Sequence, residues 1–215
     1  MIKISPSILN VRIEDIKQKV ISLDNAGADY IHIDVMNGTY VPNNSFNSEV
    51  VYNIRKITSK VLDVHLMIRP IKPYIQEFID AGSDIITFHP EAEESPDKII
   101  ELIKRDNKRV GLALHPKLNI LDYENLYKSV NQIIIMTVTP GFGGQKFLDA
   151  QLEKIKKLYE LRENKNYSFN ICADGGIDEQ NGAKCIKNGV DILAVGSFIL
   201  SQPEDKFKHI IKTLR

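Results

Sequence analysis

The stretch Ala26-Gly27-Ala28-Asp29-Tyr30-Ile31-His32-Ile33-Asp34-Val35-Met36-Asn37-Gly38 decides how this chain folds. Its first part is a helix stop, because a glycine just past a helical segment relieves the left-handed turn that leads the chain back into a sheet. Its second part is a strand, Tyr30–Met36, rich in isoleucine and valine. Side chains two apart in a strand share a face. His32, Asp34 and Met36 therefore project together, where a packed strand would normally carry only Val, Ile or Leu.

The helix stop recurs as Ala81-Gly82-Ser83-Asp84 and Asn188-Gly189-Val190-Asp191, each between a helical pattern and a strand. Strand-like runs cover Lys3–Leu9, Tyr30–Met36, Val61–Ile68, Ile85–His89, Arg109–His115, Gln132–Thr139, Ser168–Asp174 and Ile192–Ser197. Several are apolar on both faces, as parallel strands covered by helices are. Amphipathic patterns lie between them. Arg12–Asp24 carries Ile13, Ile16, Val20, Ile21 and Leu23 on one stripe, and Pro203–Leu214 carries Phe207, Ile210, Ile211 and Leu214. Pro96–Arg105 opens with Ser95 at an N-cap and proline at the first helical position.

Eight strands, each followed by a helix, predict an α/β fold: a closed (β/α)8 TIM barrel as a single domain over residues 1–215. The alternative, an open doubly wound sheet, lacks its G-x-G-x-x-G after the first strand.

Composition narrows the function. The chain balances 28 basic against 28 acidic residues, without the electrostatic footprint of a nucleic-acid binder. No apolar run approaches the roughly 20 residues that span a bilayer, so no membrane partner is expected. The opening run MIKISPSILN has no secretory signature, and Cys172 and Cys185 are in no metal spacing. A cytoplasmic protein with free thiols is the expectation.

In a barrel, chemistry sits at the C-terminal ends of the strands. There this sequence places Ser7, His32, Asp34, Asp63, His65, His89 and Asp174. A single buried histidine is ordinarily a satisfied core residue. His32, His65, Asp34 and Asp174 converging on one mouth instead make a mixed nitrogen and oxygen site for one divalent cation, suited to Zn²⁺, Fe²⁺, Mn²⁺ or Co²⁺. Met36, Met67 and Met136 lie near strand ends, as core filler or as an apolar pocket floor. Glycines crowd the loops after strands six, seven and eight: Pro140-Gly-Phe-Gly-Gly-Gln145, Gly175-Gly176 and Gly196-Ser197. Such loops let backbone N–H groups approach a phosphate. A cation, two carboxylates and a phosphate site equip a barrel for proton transfer beside the carbonyl of a phosphorylated sugar.

The runs SPSIL, HIDVMNG, DVHLMI, PGFGGQKF, DGGI and GSFI occur in the order and spacing of ribulose-phosphate 3-epimerases, which the chain resembles from about Ser5 to its last helix. The resemblance implies that His32, Asp34, His65 and Asp174 bind the metal. It makes Asp34 and Asp174 the catalytic acid/base pair that interconverts D-ribulose 5-phosphate and D-xylulose 5-phosphate at C3 through an enediolate. Ser7 and His65 would contact substrate. Gly141, Phe142, Gly143, Gly144, Gly175, Gly176, Gly196 and Ser197 would hold its phosphate. It also implies a homo-oligomer. The metal's charge is expected to depress both carboxylate pKa values. The alternatives are the same chemistry on a six-carbon ketose phosphate such as D-allulose 6-phosphate, and a barrel that binds sugar phosphates without turnover.

The chain departs from the family pattern at Asn37 (usually Asp), at Thr39-Tyr40 (usually His-Phe), at Cys172 (often an acid) and at His115 (commonly Asn). Cys172 is expected to be a small barrel filler rather than a fifth ligand.

Overall fold

Alternation of buried strands with one-sided helices produces a (β/α)8 barrel in the computed structural model, which describes all 215 residues. The strands are β1 (Lys3–Pro6), β2 (Tyr30–Met36), β3 (Val61–Met67), β4 (Ile85–Phe88), β5 (Arg109–Leu114), β6 (Gln132–Met136), β7 (Asn170–Asp174) and β8 (Ile192–Val195). They pair in parallel in the order β1-β8-β7-β6-β5-β4-β3-β2. A parallel bridge between Ser7 and His32 joins β1 to β2, and Ile8 N–H donates to the His32 carbonyl at 3.2 Å.

The helices are α1 (Ile16–Asn25), α2 (Ser48–Arg55), α3 (Ile75–Asp80), α4 (Pro96–Arg105), α5 (Gln151–Lys165), α6 (Glu179–Lys187), α7 (Ser197–Leu200) and α8 (Phe207–Thr213). The expectation of one helix after every strand is corrected at two places. After β5 the chain makes only a 3₁₀ stretch, Ile120–Ser129, broken at Tyr123, whereas β8 is followed by both α7 and α8. The predicted helix over 12–24 starts as a 3₁₀ turn, which leaves Ile13 exposed instead of on the apolar stripe. Ser95 precedes α4 without a side-chain capping bond. Several strands end short of their apolar runs because the later residues leave the ladder to form the mouth.

Two layers result. Residues such as Ile31, Ile33 and Val35 of β2 belong to a core of 52 buried residues between strands and helices. The barrel interior has a much smaller apolar cluster of nine, which includes Cys172. Cys172 is thus a barrel filler, and burial raises its thiol pKa well above the usual range, with Asp63 and Asp174 adding to the effect.

The recurring helix stop accounts for the closed end. Gly27, Gly82 and Gly189 hold φ of 90°, 97° and 102°, a backbone region that other residues rarely adopt. The aspartate two residues later then accepts the first free N–H of the preceding strand: Asp29 from Ile4 at 2.8 Å, Asp84 from Leu62 at 2.8 Å and Asp191 from Ile171 at 2.7 Å. Each carboxylate also pairs with an arginine from a packed helix or terminus, respectively Arg215, Arg55 and Arg162. At the fourth such place Asn131 Oδ1 accepts from Val110 N–H at 2.9 Å. Asp84→Ala leaves the Leu62 N–H without its acceptor, and the expected loss is about 1–3 kcal/mol in denaturant unfolding. Asp84→Asn, which restores the arrangement seen at Asn131, should lose less.

Candidate active site

Four neighbouring inward positions build the centre of the mouth. β2 carries His32 and Asp34, β3 carries His65 in register with Asp34, and β7 ends in Asp174. Both histidines are fully buried, and Asp34 and Asp174 are nearly so, with side chains 6% and 13% exposed. His32 Nε2 lies 3.3 Å from Asp34 Oδ1 and 3.6 Å from Asp174 Oδ2. His65 Nδ1 lies 3.2 Å and 3.7 Å from the same two oxygens. One ligating atom from each of the four residues falls within 4.8 Å of all the others, so the cluster could hold a metal ion. His32 Nε2 is buried with no hydrogen-bond partner, as suits a donor atom reserved for a cation.

The rest of the polar interior orients these side chains. Asp63, below His32 on β3, accepts from His32 Nδ1 at 3.1 Å, Gln132 Nε2 at 2.9 Å and Thr87 Oγ1 at 3.0 Å. Burial alone would neutralise Asp63, but those three donors hold its pKa below the usual range. An ionised Asp63 can only accept, so His32 keeps a proton on Nδ1, and Nε2 is the nitrogen that a cation would strip of its proton and occupy. His65 Nε2 faces His89 Nε2 at 3.0 Å. Burial pushes His89 down to about 4, which keeps it neutral. Ser7 Oγ donates to Asp34 Oδ2 at 2.8 Å, and Ser45 Oγ donates to the Asp34 carbonyl at 2.6 Å.

The two carboxylates differ sharply. Burial works against ionisation of Asp34, yet the adjacent His32 and His65 hold its pKa far below the ordinary value. Burial raises Asp174 to about 6, with the neighbouring Asp34 charge adding to the rise and His32 opposing it. Among the protein's own charges, only Asp34 is depressed below the ordinary carboxylate range. Burial opposes protonation of His32, but Asp34 and Asp63 outweigh it and raise its pKa well above the usual value.

Above the cluster opens a cavity lined by Ser7, Asp34, Asp174, Met36, Met67 and Met136, and by the three glycine-bearing segments Gly141–Gly144, Gly175–Gly176 and Gly196–Ser197. All the expected substrate-contact residues line it except His65, which lies beneath the surface with no exposed area. Gly176, at φ 63°, has Phe147 backbone where a Cβ would stand, 2.7 Å from its nitrogen, so no other residue fits between these segments. Gln145 Nε2 pins the loop after β6 by donating to the carbonyls of Thr139 and Phe142 at 2.6 and 2.8 Å. Asn43 Nδ2 reaches the Gly141 carbonyl at 2.9 Å, tying the loop after β2 to that after β6.

Sequence reading missed the roles of Asp63, Thr87, Gln132 and Asn10. Gln132 stands out in retrospect as the one polar residue opening the run Gln-Ile-Ile-Ile-Met, and Asn10 joins the cavity wall against Gly143. Of the departures, Asn37 Oδ1 accepts from Thr39 N–H at 3.2 Å, a local turn contact. Tyr40 donates its hydroxyl to Glu91 Oε1 at 2.8 Å. His115 Nδ1 accepts from Lys117 N–H at 3.2 Å, away from the cluster.

A model of the ribulose-phosphate 3 epimerase family matches residues 3–200. The chain belongs to that family. A ribulose-phosphate 3-epimerase of Bacillus subtilis is 36% identical over 207 residues, covering 96% of this chain and 95% of the relative. The Escherichia coli K12 and Methanocaldococcus jannaschii proteins of the same name are 35% and 34% identical, covering 99% and 100% of this chain and 94% and 90% of the relatives. Among solved structures, a mutant tryptophan synthase α-subunit of Pyrococcus furiosus superposes with a TM-score of 0.71 at 10% identity, over 99% of this chain and 93% of that one. Phosphoribosyl anthranilate isomerase of Thermus thermophilus gives 0.70 at 14%, over 99% and 98%. These two share the barrel; the sequence relatives make this epimerase-family member an enzyme of the isomerase class. No helix is long and apolar enough to cross a membrane.

Because Asp63 sets the proton position on His32, Asp63→Asn in this epimerase-family barrel should weaken zinc binding about 10–100-fold. Competition against a chelating dye measures it, and unchanged affinity counts against the assignment.

Proposed function

We propose that this protein interconverts D-ribulose 5-phosphate and D-xylulose 5-phosphate at C3, with Asp34 and Asp174 as the acid/base pair. The observation that carries the reading is the placement of these two carboxylates on the floor of one cavity rimmed by glycine loops. Membership of the epimerase family agrees with it.

The residues divide the work. Asp34, strongly biased toward its ionised form, takes the proton from C3 of ribulose 5-phosphate. Asp174, balanced near neutrality by burial, returns a proton from the other side of the planar intermediate, which inverts the centre. The roles exchange for the reverse reaction. Ser7 holds Asp34 Oδ2, so the carboxylate cannot swing away as its charge changes. Met36, Met67 and Met136 supply an apolar wall that displaces water from the reacting carbon. Backbone N–H groups of Gly141–Gly144, Gly175–Gly176 and Gly196–Ser197 receive the phosphate, which anchors the sugar chain across the two carboxylates.

One divalent cation, Zn²⁺, Fe²⁺, Mn²⁺ or Co²⁺, would be held by His32 Nε2, His65 Nδ1, Asp34 and Asp174. When bound it neutralises the negative charge that develops on the substrate's oxygens, a contribution on the order of several kcal/mol.

Purified protein supplied with one of these cations is expected to convert ribulose 5-phosphate to xylulose 5-phosphate, with a higher kcat/KM than for D-allulose 6-phosphate. The opposite preference overturns the substrate assignment. Asp174→Asn and Asp34→Asn should each lower kcat by at least about 10²-fold. Full turnover by either variant contradicts a two-carboxylate mechanism. Metal uptake must displace the proton that His32 binds in the metal-free protein, so affinity is expected to fall as pH falls and binding to release protons. Calorimetry in buffers of different ionisation enthalpy reads that release.

A further inference from the structure

Two ring nitrogens that face each other at hydrogen-bond distance must share a single proton, one donating and one accepting. His65 Nε2 and His89 Nε2 face each other in this way at 3.0 Å, both residues being fully buried. The His65 ring turns its other nitrogen, Nδ1, to the two carboxylates. Against the ionised Asp34 alone Nδ1 carries the proton, at 3.2 Å; for Nδ1 to ligate a cation it must be bare, and the proton of a neutral His65 then moves to Nε2. His89 must accept that proton on a bare Nε2, so its own proton lies on Nδ1.

That nitrogen is buried with no hydrogen-bond partner, and the polar atom it faces is Glu91 Oε1 at 3.5 Å. Glu91 Oε1 also accepts from the Tyr40 hydroxyl at 2.8 Å, and the Tyr40 ring stacks on His89 with centroids 4.6 Å apart and planes 27° apart. Tyr40 therefore fixes both the plane of His89 and the position of the carboxylate that its proton faces.

We propose that His89, Glu91 and Tyr40 are positioning residues that set the proton on His65 and so make its Nδ1 available to the metal. This rests on the metal reading above. His32 is oriented by the charged Asp63, and His65 by a neutral imidazole whose own proton is directed outward to Glu91. The neutral partner avoids a further buried negative charge next to Asp34 and Asp174.

The test measures zinc affinity by dye competition on the full chain. Glu91→Ala and His89→Leu should each lose about 10–100-fold. His89→Gln, whose amide oxygen can still accept from His65 Nε2–H, should retain most of the wild-type affinity, which a purely space-filling role of His89 does not predict. In zinc-loaded wild type with ¹⁵N-labelled histidine, the His89 shifts should read a protonated Nδ1 and a bare Nε2. A proton on His89 Nε2, or equal zinc affinity in wild type, Glu91→Ala and His89→Leu, overturns the relay alone. Wild type that takes up no zinc overturns the metal reading and the relay with it.

Discussion

An ionised carboxylate at the centre of a barrel costs several kcal/mol unless donors surround it. Asp63 is buried completely and is held by His32, Gln132 and Thr87, which reach it from three other strands. The rest of the site depends on this satisfied charge. It fixes the proton on His32, and His32 in turn sits against both Asp34 and Asp174. Because the donors come from β2, β4 and β6, the barrel must be closed and in register before the four-residue cluster exists.

The barrel accordingly separates its tasks by depth. At the closed end, aspartate–arginine pairs or an asparagine satisfy the first free N–H of alternate strands. The middle contains the polar network around Asp63, beside a small apolar cluster that includes Cys172. The mouth presents two carboxylates, a methionine wall and glycine-rich loops. Stability comes mainly from the apolar shell between strands and helices, which frees the interior to be polar.

Two carboxylates beside the same two histidines end in opposite protonation tendencies. Asp34 lies nearer both rings, within 3.2–3.3 Å, and is held ionised. Asp174 lies farther, at 3.6–3.7 Å, so burial and the Asp34 charge dominate and lift its pKa. A few tenths of an ångström thus accompany opposite pKa shifts within one cluster. The same economy applies to the histidines, one oriented by a charged neighbour and the other by a neutral one.

Much was legible in the residue order. Helix stops with glycine, period-two strands and apolar helix stripes are local properties, so the eight strands, most helices and the inward pairing of His32 with Asp34 followed from the chain alone. The loop glycines and the convergence of His32, Asp34, His65 and Asp174 were legible for the same reason: a barrel puts strand ends together whatever lies between them. Local patterning did not show that β5 is followed only by 3₁₀ turns, because a kink at Tyr123 leaves the apolar spacing intact. Nor did it show that His65 is sealed beneath the cavity, or which residue fixes each imidazole proton. Those facts depend on contacts between strands tens of residues apart, Asp63 with Gln132 and His65 with His89. Distance and burial in the closed barrel decide them, and neither exists in the chain before it closes.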